Sequence, residues 1–189
     1  AYIAGDNAGI GTKSAEYLGE KLGGKGTIAV LNVPSSGSVS VERVDAFKEK
    51  MSESYPDIKL IDMTASDFTQ QSGLKTMTDV LTANEKIDAI FSIDDESSLG
   101  MLQAISDSKR TDIKYVTGAG GSQAYFAKIK ENEQPLCMTA TYSPSMIKDA
   151  VAAAYDLAQG KTVEKDNIIT PSVVTKDNVS EFIDENSPY

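Results

Sequence analysis

Two adjacent carboxylates, Asp94 and Asp95, close the apolar run Ile87-Asp-Ala-Ile-Phe-Ser-Ile93 and stand directly before Leu99, Leu102 and Ile105, which recur at helical spacing. A run this short and this apolar predicts a buried strand that passes through a turn into a helix. In an open parallel sheet the last residues of such a strand reach the crevice at the carboxyl edge, where ligands bind. The pair can accept hydrogen bonds from a ligand, or it can cap the helix, since Asp is a favoured N-cap and suits the positive end of the helix dipole. Position favours Asp95 for the cap, because Asp94 lies further back toward the strand. Hydrolysis by the two acids is disfavoured, because neighbours on an extended strand end point apart.

Other reactive groups are scarce. The chain has no histidine, which removes the usual general base and the Ser-His and Cys-His pairs. Its one cysteine, Cys137, leaves no partner for an internal disulfide and no cysteine zinc cluster. Asp6, Asp94 and Asp95 lack the dense ligand loop of a Ca²⁺ or Mg²⁺ site, so neither metal nor cofactor is expected. The Gly118-Ala-Gly-Gly-Ser122 turn precedes a helix, as phosphate cradles do, but its spacing matches neither Gly-x-Gly-x-x-Gly nor the P-loop.

The elements that position these residues alternate along the chain. With 189 residues, 40% of them hydrophobic, there is material for one good core. Tyr2-Ile-Ala-Gly-Asp-Asn7 reads as the end of a strand, and 9–22 as a helix stopped by Gly23-Gly24. Gly26-Thr-Ile-Ala-Val-Leu-Asn-Val33 is continuously apolar, as strands buried on both faces are. Val41, Val44, Phe47 and Met51 mark a helix that Tyr55-Pro56 ends. Ile58-Lys-Leu-Ile-Asp-Met63, a loop Ala65-Ser-Asp-Phe-Thr69, and a helix with Leu74, Met77 and Leu81 inward come next. After the Ile87 strand and its helix follow Ile113-Lys-Tyr-Val-Thr117 and a helix carrying Phe126 and Ile129. Five such repeats predict an α/β fold with a doubly wound parallel sheet, three layers deep. Then the rhythm breaks. Leu136–Tyr142 reads as a strand, 145–159 as a helix with Met146, Ile147, Val151 and Leu157 on a broad apolar face, Ile168–Thr175 as an edge strand or hinge interrupted by Pro171, and 177–183 as a short last helix. A net charge of -10 argues against nucleic acid and anionic membranes as partners. No apolar run approaches the length of a bilayer span. The opening Ala1-Tyr-Ile-Ala-Gly is not a signal peptide and reads as the middle of a fold.

Gly5-Asp-Asn7, Gly26-Thr-Ile-Ala-Val-Leu31, Val41-Glu-Arg-Val-Asp-Ala-Phe47, Ser66-Asp-Phe68, Ala89-Ile-Phe-Ser-Ile-Asp-Asp95, Leu99-Gly100, Tyr142-Ser-Pro144, Gln159-Gly-Lys161 and Thr175-Lys-Asp-Asn-Val179 occur in an order that resembles ribose/galactose-type periplasmic sugar-binding proteins. Lac-repressor-like effector domains are their relatives. The resemblance covers nearly the whole chain and implies one lobe of a periplasmic-binding-protein type I fold. Two such lobes are joined by three crossing strands, with a sugar held between them. On that plan residues 1–142 are the C-terminal lobe, 143–166 return to an N-terminal lobe outside this sequence, and 167–189 come back. The resemblance implies that Arg43 grips ligand hydroxyls, Phe68 lies on the sugar ring, Asp94 and Tyr142 supply polar contacts, and Asp6, Asn7, Ser143 and Asn178 are hinge points. A guanidinium offers a planar fork of donors, an aromatic face suits C–H groups, and a phenol both donates and accepts. Asp94 is also placed to balance Arg43. Many relatives carry an aspartate where this chain has Ala119 or Gly120, so the bound sugar is expected to differ or to be bulkier.

The implied function is non-catalytic: sugar or polyol capture by an exported receptor, periplasmic or extracellular and free or lipid-anchored. The closed form would be read by an ABC permease or a chemoreceptor. The alternative is the effector-binding core of a lac-repressor-like regulator. A further expectation is that the apolar face of 145–159 is exposed, re-docked, or covered by another copy of the chain.

Overall fold

The strands that alternate with helices line up side by side. In the computed structural model, which describes residues 1–142, 146–184 and 186–187, six strands form one sheet in the order β3-β2-β4-β5-β6-β8. Their ranges are β2 Gly26–Asn32, β3 Ile58–Thr64, β4 Ala89–Phe91, β5 Tyr115–Ala119, β6 Leu136–Thr141 and β8 Ser172–Val174. All neighbours are parallel except β6 and β8, which are antiparallel. Helices α1 (Asn7–Lys21) and α2 (Ser38–Ser54) pack on each other, and α3 (Gln70–Ala83) packs on α4 (Asp95–Ser108), which also touches α5 (Gln123–Glu131). The result is the expected three-layer α/β/α arrangement. The core is built from β2, β4 and the inward helix faces, including Ile28, Val30, Phe47, Met77, Ile90 and Met101, and Phe47 stacks on Phe91 with ring centroids 3.9 Å apart.

The Ile87 run forms less ladder than its length suggests. Only Ala89–Phe91 pair as strand. The flanks are held by side chains: Ile87 N–H donates to Asp112 Oδ2 at 2.8 Å, and Ser92 N–H to Thr117 Oγ1 at 3.1 Å. Two helical stripes are also rotated from expectation. In α2 Val41 is exposed, while Ser40 turns inward to accept from Val33 N–H and donate to Asn32. In α4 the buried stripe runs through Ser97, Gly100, Met101, Ala104 and Ile105. Leu99 and Leu102 are only half-buried against a satellite cluster of α5 and the C-terminal segment, where Phe126 meets Phe182. The short last helix is a single 3-10 turn, Val179–Glu181.

Two pieces stand apart from this sheet. β1 (Tyr2–Gly5) pairs in parallel with β7 (Asp166–Ile169) as a separate two-stranded sheet. Pro171 lies between β7 and β8, so the predicted interrupted strand is two strands in two sheets, the second at an edge as its proline requires. In helix α6 (Met146–Ala158) the residues Ile147, Val151 and Tyr155 are 64%, 63% and 64% exposed. Of the face named from the sequence, Ile147, Val151 and Leu157 are exposed in the single chain, while Met146 is half-buried and borders a hollow. No helix among the described residues is long and apolar enough to cross a membrane.

Candidate functional site

β2 has β3 on one side and β4 on the other, so the strand order reverses direction at the β2–β4 boundary. Loops leaving the carboxyl ends of those strands diverge there and open a crevice. The crevice is a hollow of about 360 Å³, lined among others by Arg43, Phe68, Asp94, Gly120 and Tyr142. All five residues named from the sequence as ligand contacts therefore border one space. Each comes from a different carboxyl-edge segment: α2, the β3–α3 loop, the β4–α4 junction, the β5–α5 turn and the end of β6.

Arg43 is the central group. It lies one turn into α2 and is 7% exposed. α1 can approach α2 closely here because Gly11 has no side chain: a Cβ on it would sit 2.1 Å from Arg43 O. The guanidinium donates from Nε to Asn7 Oδ1 at 3.0 Å, from Nη1 to Ile93 O at 2.6 Å and from Nη2 to the Tyr142 hydroxyl at 3.3 Å. Tyr142 OH donates in turn to Asn7 Oδ1 at 3.3 Å. A guanidinium has five N–H donors, so one on Nη1 and one on Nη2 have no partner among the described residues. The expected pairing with Asp94 does not form. Among the described residues no carboxylate lies within ion-pair distance of Arg43.

Asp94, and not Asp95, is the cap of α4. Its Oδ1 accepts from Ser97 N–H at 2.7 Å, while Oδ2 is buried with no hydrogen-bond partner. Burial pushes its carboxyl up to about 6, opposed by the bonds from Ser97 and by the Arg43 charge, and reinforced by Glu96. Because β4 ends at Phe91, the chain turns earlier than the apolar run suggests, and Asp94 becomes the capping residue while still bordering the hollow. Asp95 is the first residue of α4 and faces the β5–α5 turn, where its Oδ2 accepts from Gly121 and Ser122 N–H at 2.6 and 2.7 Å. The two carboxylates take different partners, Asp94 the Ser97 N–H of α4 and Asp95 the amides of the β5–α5 turn.

Phe68, 37% exposed, presents its ring from the loop before α3. The apolar remainder of the wall includes Ile10, Val39, Ala119 and Met146. Tyr142 lies over Gly5, where a Cβ would meet its ring at 2.2 Å. Gly120 has φ +124 and contributes backbone only. The arrangement can do four things for a small polyhydroxy molecule: two spare donors on a fixed cation, carboxylate acceptance at Asp94, a phenol that bridges, and an aromatic face.

The residues expected as hinge points fall at different places. Asp6 caps α1 through Gly9 N–H, and its own N–H donates to Ile169 O at the end of the β1–β7 ladder. Asn7 holds Arg43 and Tyr142, a role the sequence reading missed; the signal was its place at the mouth of α1, two residues beyond a strand end. Asn178 is away from the hollow and locks the turn after β8, accepting from Thr175 N–H and donating to Val173 O. Ser143 lies outside the described residues.

Comparison with known proteins fits this geometry. A family model for the periplasmic binding protein domain matches residues 1–162. The ribose import binding protein RbsB of Bacillus subtilis is 30% identical over 164 residues, 86% of this chain and 52% of that protein. The xylitol-binding protein of Mycolicibacterium smegmatis is 25% identical over 95% of this chain and 51% of its own length. Among solved structures, a periplasmic solute-binding protein of Actinobacillus succinogenes with bound D-allose superposes with a TM-score of 0.87 at 24% identity, covering 95% of this chain and 62% of that one. The arabinose-transporter binding protein of Shewanella sp. ANA-3 gives a TM-score of 0.86 at 26% identity, over 95% of this chain and 61% of that one. The chain thus spans about half the length of the curated relatives it matches, and over that span its sequence, its sheet order and its carboxyl-edge hollow make it a member of the periplasmic binding protein family.

Proposed function

We infer that the carboxyl edge of this sheet is one jaw of a two-lobe, non-catalytic receptor for a small sugar or polyol. The observation that carries this reading is the convergence of Arg43, with its unspent donors, on the same hollow as Asp94, Tyr142 and the exposed Phe68 ring. A charged, pre-held fork suits adjacent hydroxyls, and an aromatic face suits the C–H side of a ring. The volume, about 360 Å³, sits near the small end of the ~300–1,000 Å³ typical of small-molecule sites.

In this reading residues 1–142 are one lobe, 143–166 cross to the other, and 167–189 return. The separate β1–β7 sheet and the uncovered apolar face of α6 support it, since both are structures that a second lobe would complete. Asp6, Asn7, Ser143 and Asn178 are the bending points, and ligand contacts from both jaws bias closure. The receptor works outside the cytoplasm, in the periplasm or on the cell exterior, free or lipid-anchored, and its closed form engages an ABC permease or a chemoreceptor. The relatives named above are importer or solute-binding components, so the regulator alternative is not carried forward.

A thermal-shift screen of the two-lobe protein against pentoses, hexoses and polyols tests the reading. A ligand at a hundredfold its Kd is expected to stabilise by about 2.7 kcal/mol, a shift of several degrees. No response to any member of the panel refutes it.

A further inference from the structure

Asp95 is 2% exposed, yet its carboxylate is the most heavily engaged acceptor near the hollow. Oδ2 accepts from Gly121 N–H at 2.6 Å and Ser122 N–H at 2.7 Å, and Oδ1 accepts from the Thr139 hydroxyl at 2.8 Å. No lysine or arginine among the described residues pairs with it. A buried carboxylate compensated only by neutral donors is expensive, and burial accordingly drives this group up to about 6, against the pull of those three donors.

Two of the three donors belong to one wall of the hollow, and the third, Thr139, belongs to β6. Residues 118–122 form the β5–α5 turn, and Ala119, Gly120 and Ser122 border the hollow. Three of the five are glycines, with Gly120 and Gly121 at φ +124 and +83, so the turn has little intrinsic preference for one shape. What shapes it comes from outside: Thr141 Oγ1 donates to Gly120 O at 2.7 Å, Gly120 N–H donates to Ala140 O at 3.2 Å, and Asp95 takes the next two N–H groups. The fit is tight, since a Cβ on Gly118 would sit 2.2 Å from Asp95 Oδ1. Asp95 directly follows Asp94, whose Oδ1 accepts from Ser97 N–H instead.

Building on the binding function inferred above, we propose that Asp95 is a positioning residue of the ligand site: it clamps the Gly118–Ser122 wall at a fixed distance from Asp94 and Arg43. Adjacent carboxylates thereby divide the work. Asp94 caps α4 at the border of the ligand space, while Asp95, which also borders it, tethers α4 to the β5–α5 turn and to β6.

The test uses Asp95→Asn and Asp95→Ala in the two-lobe protein, with amide hydrogen exchange and with calorimetry against D-ribose, D-allose, L-arabinose and xylitol. In Asp95→Ala the Gly121 and Ser122 amides are expected to exchange at least thirtyfold faster, and affinity for the sugar bound best by the parent is expected to fall at least tenfold. Asp95→Asn keeps an acceptor without the charge, so it folds and shows the same changes at three- to tenfold; it carries the test where the alanine variant does not fold. Exchange at Gly121 and Ser122 unchanged in Asp95→Asn overturns the proposal. So does exchange quickened evenly along α4 and α5 with affinity falling only as the folded fraction falls, which is the mark of a merely structural residue. If the parent binds none of the four sugars, the sugar reading is what suffers, and the two amides still decide whether Asp95 clamps the turn.

Discussion

Replacing Arg43 with alanine should separate ligand recognition from folding. The guanidinium uses three N–H groups on Asn7, Ile93 and Tyr142 and keeps two for the hollow. A hydrogen bond to a charged group is worth about 1.5–3 kcal/mol net. Losing two from the bound sugar, with water filling part of the gap, should weaken binding by at least about 2 kcal/mol, roughly thirtyfold in Kd. Folding should change less. Three acceptors lose their donor, but a buried cation without a counter-charge is removed at the same time, and these effects oppose each other. Arg43→Lys sharpens the experiment: it keeps the charge but cannot reach Asn7, Ile93 and the sugar together, because an ammonium is a point and not a fork. Calorimetry on the two-lobe protein reads the affinity, and urea unfolding reads the fold. A Kd within twofold of the parent for Arg43→Ala, in a protein that still folds, would remove Arg43 from the site.

Further outcomes can be stated more briefly. Asp94 and Asp95 stand at about 6 against an ordinary 3.8, so their contribution to folding is fully present below 3.8 and is lost as pH rises through about 6. The Arg110 hydrogen bonds hold Asp112 down at about 2, so its contribution is present above 3.8 and is lost as pH falls through 2. Urea midpoints should therefore peak near pH 4 and decline toward pH 7 by up to about 3 kcal/mol per raised carboxyl, and Asp94→Asn, still a good cap, should flatten that decline. A decline of full size in Asp94→Asn would contradict the argument. Gly11→Ala drives a methyl into Arg43 O at 2.1 Å and Phe47 N at 2.9 Å, backbone that cannot step aside. It should cost about 2–3 kcal/mol by chemical denaturation. Val151→Lys, on the exposed stripe of α6, should change stability of the 189-residue chain by less than about 0.5 kcal/mol yet destabilise the two-lobe protein by at least about 2 kcal/mol. Sedimentation should show the chain alone self-associating through this face, and the lysine variant monomeric.

Local pattern was enough to place the strands and helices of the main sheet, because burial on both faces makes β2 continuously apolar and a one-sided core gives the helices their stripe. The grouping of Arg43, Phe68, Asp94, Gly120 and Tyr142 was expected from the resemblance to sugar-binding proteins, and the fold supplies the physical reason that such a grouping arises. In a parallel sheet every loop that follows a strand opens on one edge, so residues far apart in the chain arrive at one place. The capping assignment was not legible. Whether Asp94 or Asp95 starts α4 depends on where β4 stops, and there Thr117 reaches in from elsewhere in the chain to take Ser92 N–H.

What the sequence by itself determined, then, is the alternation of elements, since that follows from periodicity and chain direction. Apart from the Asp94-Asp95 pair, the groups expected at the carboxyl edge were named through the family resemblance. The tertiary structure alone decided how those groups share the work: Asn7 holding the arginine, Arg43 left without a carboxylate, Asp95 turned toward glycine amides, and α6 left bare. Each of these is a contact, or the lack of one, between segments distant in sequence, and no local pattern encodes it.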